Sequence, residues 1–549
     1  MIRQVLSSGW PSWYRSFSVA ALGWVVVVML FVLLRVGLVW RAPVGGAELA
    51  HLSGAWQASI GIEDSRFVPT LFQGVAALTF NLSESERPVR AIALAATLTI
   101  PIALFRLRRS LGEGGSLLTL LLLGLDPIGI VLGVTATAAA WDTTIAVWLV
   151  VALIASRPPP WLWVLLTFLA VTAGPIILPV VLAAVGIAAI REPRPDCRTL
   201  VWGALGALLG VFLTSFQFGV GIDGLQIAPF LLFVEGFEKY WSAFSAAELA
   251  ALYGLPLLIG GVIAGVWLLV TFRVEKRTPT AMESLCLGMT GVSLTWFLVA
   301  LPSNSPFPLG AATLFSCFLL GPALSRALGF LMSVNWNSQR FQLPLVFGLA
   351  AIGLFVLSNW AHEGRSGSAD EWILLSIPIF LALVGVLSLV FALVSRNREG
   401  PLLALVSFVV AGGGLLITGA SGVLLSGSGE PLPGPISPSS ARVIRDVAFT
   451  ATDSRASVVV HEQYRDELTW TFRNSPTLTL ASRVPLDANV VVWPLDAPPP
   501  EGFVALEGRW VIGQAFRAPD GFLDLVRWFT ERNTLRQDQE LVAIYVRGP

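Results

Sequence analysis

Charge is what this sequence has least of. Asp, Glu, Lys and Arg make up 13% of the 549 residues, and 55% are hydrophobic. A soluble domain carries roughly a quarter charged residues, so this composition excludes a chain that is soluble throughout. The 35 basic and 35 acidic residues cancel, which leaves no net field for nucleic acid or for an acidic partner. Cysteine is almost missing: Cys197, Cys286 and Cys317 form neither a disulfide framework nor a CxxC metal motif. Three scattered histidines, His51, His362 and His461, argue against a zinc site built by the protein alone. P-loop, GxSxG and HExxH patterns are absent. A solenoid period is absent too, no inverted repeat is strong enough to suggest a secondary transporter, and very few ionisable residues lie deep in the runs.

What the chain has is long apolar runs. A transmembrane helix needs about 20 mostly apolar residues. Such runs lie at 18–40, 88–106, 116–134, 139–156, 161–190, 199–219, 252–272, 284–301, 308–331, 343–360, 372–395 and 402–425. Taking 161–190 as two short helices or a hairpin gives about 13 spans. The first run exceeds a signal-peptide core and no small-residue cleavage pattern follows it, so it reads as an uncleaved anchor. With a cytoplasmic N-terminus, 16 Lys and Arg residues fall on inside segments. Only six, Arg41, Arg66, Arg87, Arg90, Lys239 and Arg365, fall outside. That asymmetry predicts a multi-pass protein of the cytoplasmic membrane with its N-terminus inside.

After Leu425 the composition changes to "SGSGEPLPGPISPSS", too poor in apolar residues to pack. The expected organisation is a multi-span membrane domain at 1–425, a Gly/Pro/Ser linker at 426–440 and a second domain at 441–549. In that domain "ASVVV", "TLTLA", "NVVVW", "GRWVIGQAF" and "LVAIYV" read as strands and "DGFLDLVRWFTERN" as a helix. A small extracytoplasmic α/β domain follows, outside because the span count is odd. Two outside loops are long. The first, at 41–87, holds Glu48, Glu63, Asp64, Glu84 and Glu86. The second, "GIDGLQIAPFLLFVEGFEKYWSAFSAAELA", has the pattern of an amphipathic helix along the interface.

A few side chains stand where charge is costly. Glu48 and His51, in "GGAELAHLSGAW", share a face if the stretch is helical. Glu48 reads as a general base, as the ligand of a divalent cation that holds a phosphate, or as a solvated capping acid. Asp142, in "TATAAAWDTTIAV", opens a span; it is either a functional intramembrane acid or a complement to the helix dipole. Arg35 interrupts the first span one turn before its outer end, and either snorkels to headgroups or pairs with a lipid phosphate. In "LGLDPIG", Pro127 kinks the third span and Asp126 satisfies the freed amides. Trp470, Trp493, Trp510 and Trp528 of the second domain are either core or faces for sugar stacking.

"GGAELAHLSGAW", "FVPTLFQGVAALTF", "SERPVRAIALAATLTIPIALFRLRRSLG", "LLLGLDPIGIVLG", "AAAWDTTIAVWLV" and "FLAVTAGPIILPVVLAA" follow one another within the first 190 residues. This stretch resembles the glycosyltransferase C superfamily, in particular families similar to protein O-mannosyltransferases and lipid A aminoarabinose transferases. The resemblance implies a polyprenyl-phosphate-linked sugar donor entering from the outer leaflet. It also implies an outer-loop carboxylate that activates an acceptor hydroxyl or binds a divalent cation, Mg or Mn. On this reading Glu48 and Asp142 are catalytic, with Glu48 also the metal ligand, and Arg35, His51, Glu63 and Asp64 bind substrate. The sequence departs from the family in three places. Ala47 stands where the first loop usually has the Asp of an Asp–Glu pair, Val68 and Pro69 replace a His–Pro motif, and "VTAGP" lacks the hairpin lysine. Two functions are therefore expected. One is a transferase that moves a sugar to a lipid, glycan or protein acceptor outside. The alternative is a non-catalytic relative that handles or scaffolds lipid-linked glycans.

Overall fold

The computed structural model describes residues 19–41, 47–61, 70–83, 85–154, 159–190, 197–216, 245–302 and 305–333. It also describes isolated positions in 413–423 and, in the C-terminal region, 443–448, 457–462, parts of 468–473, 478–485, 488–516, 528 and 536–547. The spans expected at 343–360 and 372–395, the linker and most of the second long loop lie outside the described residues.

Among the described residues five helices are long and apolar enough to cross a membrane: Ala20–Val39, Glu86–Leu111, Ala246–Glu275, Ala281–Val299 and Phe307–Gly329. Their boundaries follow local chemistry. The run at 116–134 is not one helix but two, α6 (Glu113–Leu125) and α7 (Pro127–Leu132). Proline lacks an N–H and suits a first helical position. Asp126 leaves the helix in an extended conformation, and its Oδ1 accepts from the Ile128 N–H at 3.1 Å. The run at 161–190 is likewise divided, into α9 (Pro160–Thr172), a 3₁₀ turn (Pro175–Ile177) and α10 (Leu178–Ile190). Before α13 (Leu255–Glu275), a capping box between Ser245 and Glu248 starts α12 (Ala246–Leu249), and a π turn (Ala250–Gly254) follows. Pro256 has no N–H to return to the carbonyl of Leu252, which favours a wider turn there.

The bundle is built around α15 (Phe307–Ser333), whose most apolar window is 94% buried inside the protein. Gly321 and Gly115 let α15 and α6 approach backbone to backbone: a Cβ on Gly321 would overlap the hydroxyl and main chain of Thr119. Small residues at the crossing are how membrane helices gain contact where lipid supplies no hydrophobic drive. The outer helices α11 (Cys197–Ser215) and α9 meet in the same way at Gly206, against the carbonyl of Val164.

In the C-terminal region six strands form one sheet in the order β2-β1-β3-β6-β4, with β5 also paired to β6. These are β1 (Val458–His461), β2 (Leu478–Ala481), β3 (Val490–Pro494), β4 (Phe503–Ala505), β5 (Trp510–Phe516) and β6 (Arg536–Arg547). β1 runs parallel to β2 and β3, and β6 is antiparallel to β3, β4 and β5. Both faces of the inner strands are buried, which explains the unbroken "VVV" runs. Val458, Val460, Val490, Val492, Val542 and Ile544 face Ile444, Leu468 and Phe472. Val459, Val491, Trp493, Ala543 and Tyr545 pack on the other side. Two tryptophans leave this core for the helices. Trp528 is fully buried and meets Tyr253 of the π turn edge-on at 5.1 Å. Trp470 lies 5.6 Å from Phe80, in the cluster that includes Leu52, Trp56 and Phe72. Trp470, Trp493 and Trp528 are thus buried packing groups.

Candidate functional site

Glu48 opens α2 (Ala47–Ser59), a short helix beyond the first span, α1 (Val19–Arg41). α3 (Leu71–Phe80) packs beside it, started by the Thr70 hydroxyl accepting from the Gln73 N–H at 3.1 Å. Glu48 is only 3% exposed. Its partner is Arg90, one turn into α4 (Glu86–Thr97). Arg90 Nε donates to Glu48 Oε1 and Nη2 donates to Oε2, both at 2.6 Å. The Ala136 N–H adds a third bond to Oε1 at 2.8 Å, and Arg90 Nη1 reaches the Val39 carbonyl at 3.4 Å. This fork ties the end of α1, the start of α2, α4 and the 133–137 turn to one point. A bidentate guanidinium–carboxylate pair is the strongest common form of charge-assisted hydrogen bond.

Asp142 sits in the first turns of α8 (Ala138–Ile154), six residues beyond the amide that Glu48 binds, and is 1% exposed. Its Oδ1 accepts from the Gly174 N–H at 2.8 Å, where the chain turns between α9 and the 3₁₀ segment. Its Oδ2 is buried and has no hydrogen-bond partner among the described residues. A Cβ on Gly174 would collide with this carboxylate, so glycine is required there by space. Three more buried polar atoms without a partner among the described residues lie in the same region: Ser53 Oγ and Trp56 Nε1 on α2, and Trp141 Nε1 beside Asp142. Buried polar groups are nearly always paired in proteins, and exceptions gather where a ligand or water completes the pairing.

Arg35 neither snorkels nor stands open to a phosphate. It is 2% exposed, and its Nη2 donates to the carbonyls of Leu123 at 3.0 Å and Gly129 at 3.4 Å. Its guanidinium stacks 3.6 Å over the Phe31 ring. The carbonyls it satisfies flank the break between α6 and α7. Asp126 works on the same break: besides capping α7 it accepts from the Thr313 hydroxyl of α15 at 2.9 Å. His51 is partly buried, and burial lowers its pKa to about 4. Gln73 Nε2 donates to its backbone carbonyl at 3.3 Å. Glu63, Asp64, Val68 and Pro69 lie outside the described residues. Among the described residues no three His, Cys, Asp or Glu side chains gather as a metal site. As a metal ligand Glu48 would share its carboxylate between the cation and the Arg90 guanidinium.

The sequence singles out Glu48 and Asp142 as charged residues in apolar surroundings but not the groups they bind. Arg90 carried a signal, an arginine inside the first turns of an apolar span. The Ala136 and Gly174 amides carried none, because any residue supplies an N–H and only the tertiary fold aims it.

The broken spans around a buried central helix, with the short helices at one end of the bundle, define a polytopic α-helical membrane protein. The fold is shared with ArnT from Cupriavidus metallidurans, an aminoarabinose transferase, in its crystal structure bound to undecaprenyl phosphate. The TM-score is 0.53 at 16% identity, over 96% of this chain and 100% of that one. The apo state of the same protein matches with a TM-score of 0.50 at 17% identity, over 85% of this chain and 87% of that one. No protein-family model and no curated protein matches the chain.

Proposed function

We propose that this chain is a membrane glycosyltransferase that moves a sugar from a polyprenyl-phosphate donor to a lipid, glycan or protein acceptor on the outer face of the cytoplasmic membrane. The orientation rests on the charge asymmetry of the loops, with the N-terminus inside and the C-terminal domain outside. The observation that carries the reading is the pair of buried acids, Glu48 on the Ala136 amide and Asp142 on the Gly174 amide, the latter with an oxygen that has no hydrogen-bond partner among the described residues. A carboxylate oxygen of this kind can accept the proton of an acceptor hydroxyl or ligate a divalent cation. In this reading Asp142 holds that oxygen. Glu48 and Arg90 shape the mouth, and release of Arg90 from Glu48 is how Arg90 meets a phosphate and Glu48 a cation. Arg35 supports the broken span instead of binding the donor. His51 contributes as a neutral ring, and Glu63 and Asp64 as acids of the same loop. The fold shared with ArnT, one of whose structures holds undecaprenyl phosphate, supports the donor class.

A second reading has its own observation. Every oxygen of Glu48 is engaged by Arg90 or Ala136, and Ala47 leaves no acid beside it. This favours a non-catalytic protein that keeps the fold and handles or scaffolds lipid-linked glycans. Radiolabelled sugar transfer by purified protein in liposomes, with a panel of polyprenyl-phosphate sugars, separates the two. Label leaving the donor with wild type but not with Asp142→Asn supports the transferase. Saturable lipid binding with no turnover of any donor supports the second reading.

A further inference from the structure

At the opposite end of the bundle, the end carrying the arginine-rich loops, a cavity of about 110 Å³ opens between α5 (Ile100–Leu111), α13, α14 (Ala281–Val299) and α15. Its depth is apolar, formed by Ala264, Leu268, Phe318 and Ala323. Its mouth is polar and already organised. Glu283 receives Arg277 in a fork, Nη1 to Oε2 at 2.9 Å and Nη2 to Oε1 at 2.8 Å, and Arg326 Nη2 at 3.3 Å. Arg326 is half exposed and lies 5.6 Å over the ring of Trp267, another lining residue. Arg277 Nε also donates to Glu275 Oε2 at 3.1 Å, and Arg106, Arg108, Arg109, Arg273 and Lys276 lie near the lining residues in sequence, as does Glu113. The neighbouring face of α13 exposes Val266, Leu269 and Val270, each more than half accessible, as a surface for acyl chains. One feature thus joins an apolar recess to a mouth formed by Arg326, Glu283 and the Arg277 bound to it.

We propose that this cavity is a binding site for an anionic phospholipid of the adjacent leaflet, its phosphate held by the half-exposed Arg326 with the Arg277–Glu283 fork beside it, and part of an acyl chain in the recess. Basic pockets between helices on this side of a membrane attract anionic headgroups, and each cation near the surface contributes to that attraction. Glu283 sets the strength of the site. It fixes both guanidiniums in position and cancels part of their charge. The site is separate from the carboxylates at the other end and has no part in the sugar chemistry proposed for them.

The test is native mass spectrometry of the full chain released from detergent, with phosphatidylglycerol and phosphatidylethanolamine of matched acyl chains added in titration. Phosphatidylglycerol is expected to bind at least fivefold tighter. Arg326→Ala should weaken it by about fivefold and leave phosphatidylethanolamine unchanged, as expected for one surface cation. Glu283→Gln should tighten phosphatidylglycerol by about the same factor. Gln at that position still completes the capping box with Thr280, so the helix start is kept. A merely structural Arg277–Glu283–Arg326 cluster predicts no tightening. Equal affinity for the two lipids overturns the proposal. So does a Glu283→Gln protein that binds no better, or displacement of the lipid by millimolar inorganic phosphate, which would mean that the acyl recess contributes nothing. If Arg326→Ala fails to purify, the Glu283→Gln comparison decides.

Discussion

The fork between Glu48 and Arg90 makes a quantitative demand on the fold. Both side chains are buried, at 3% and 7% exposure, and the pair is closed by contacts at 2.6, 2.6 and 2.8 Å. Replacing one partner leaves the other charge buried without its bonded counter-charge, which costs about 3–5 kcal/mol. Replacing both removes the desolvation problem with the interaction, and such exchanges are often near neutral. Glu48→Gln and Arg90→Met are therefore each expected to destabilise by about 3 kcal/mol or more. The double variant should lie within about 1–2 kcal/mol of wild type, giving a coupling energy of about 4 kcal/mol or more. The assay is equilibrium unfolding in mixed micelles by SDS titration, followed by circular dichroism, on all four proteins. Single losses below about 0.5 kcal/mol that simply add would refute the argument, because they would mean the pair is solvated and not a structural tie.

Other consequences are as direct. Gly174→Ala places a methyl group on the Asp142 carboxylate; it is expected to lose sugar transfer while phosphatidylglycerol binding at the other end stays unchanged, and full transfer would show that Asp142 has room to move. Trp470→Ala empties the contact between the sheet domain and Phe80, a loss of about 3–5 kcal/mol for a buried aromatic. Hydrogen exchange should rise in peptides covering Ala47–Ser59 and Leu71–Phe80, and unchanged protection there would mean the domain does not brace α2 and α3. His51 titrates at about 4 when folded, against 6.5 in an open chain, because burial disfavours its charged form. The unfolded chain therefore binds more protons between those values, so this group lowers stability as pH falls from 6.5 toward 4 and has no effect above that window. His51→Gln should flatten the melting temperature over that range, and an identical slope in both proteins would place the titration elsewhere.

What could be read beforehand, and what could not, divides along the range of the interactions. The strands at "SVVV", "NVVVW" and "LVAIYV" were legible because burial of both faces demands continuous β-branched runs. β4 was not, since Phe503–Ala505 is a three-residue edge piece with little pattern of its own. The breaks at Asp126–Pro127 and around Gly174–Pro175 were legible because proline removes a donor locally. The π turn at Ala250–Gly254 was hidden inside an apolar run that reads equally well as a regular helix. At the site, the acids announced themselves by being charged in apolar surroundings. Arg90, 42 residues from Glu48, was counted only as a loop cation because nothing local reveals the pairing. Arg35 was expected at a headgroup or phosphate. A break 88 residues away presents the carbonyls it satisfies instead, and that too is invisible before the helices are packed.

The two buried acids share one end of the bundle but not one environment, and this predicts how their roles separate. Glu48 meets a guanidinium and an amide on both oxygens, whereas Asp142 meets one amide and leaves Oδ2 open. Neighbouring carboxylates with different surroundings take different chemical tasks. If transfer occurs here, Asp142→Asn removes a group acting on the reacting atoms, so it should lower kcat by a factor of about 10²–10⁴ with little change in KM or stability. Glu48→Gln should act through Arg90, lowering stability and raising KM for the donor while a measurable kcat remains, and the Glu48→Gln/Arg90→Met double variant should regain stability without regaining donor affinity. The reverse pattern, with kcat lost at Glu48 and KM raised at Asp142, would mean that Glu48, once Arg90 has left it for the donor phosphate, is the reacting acid. The resting geometry would then be a latch, closed until the donor phosphate takes Arg90 away.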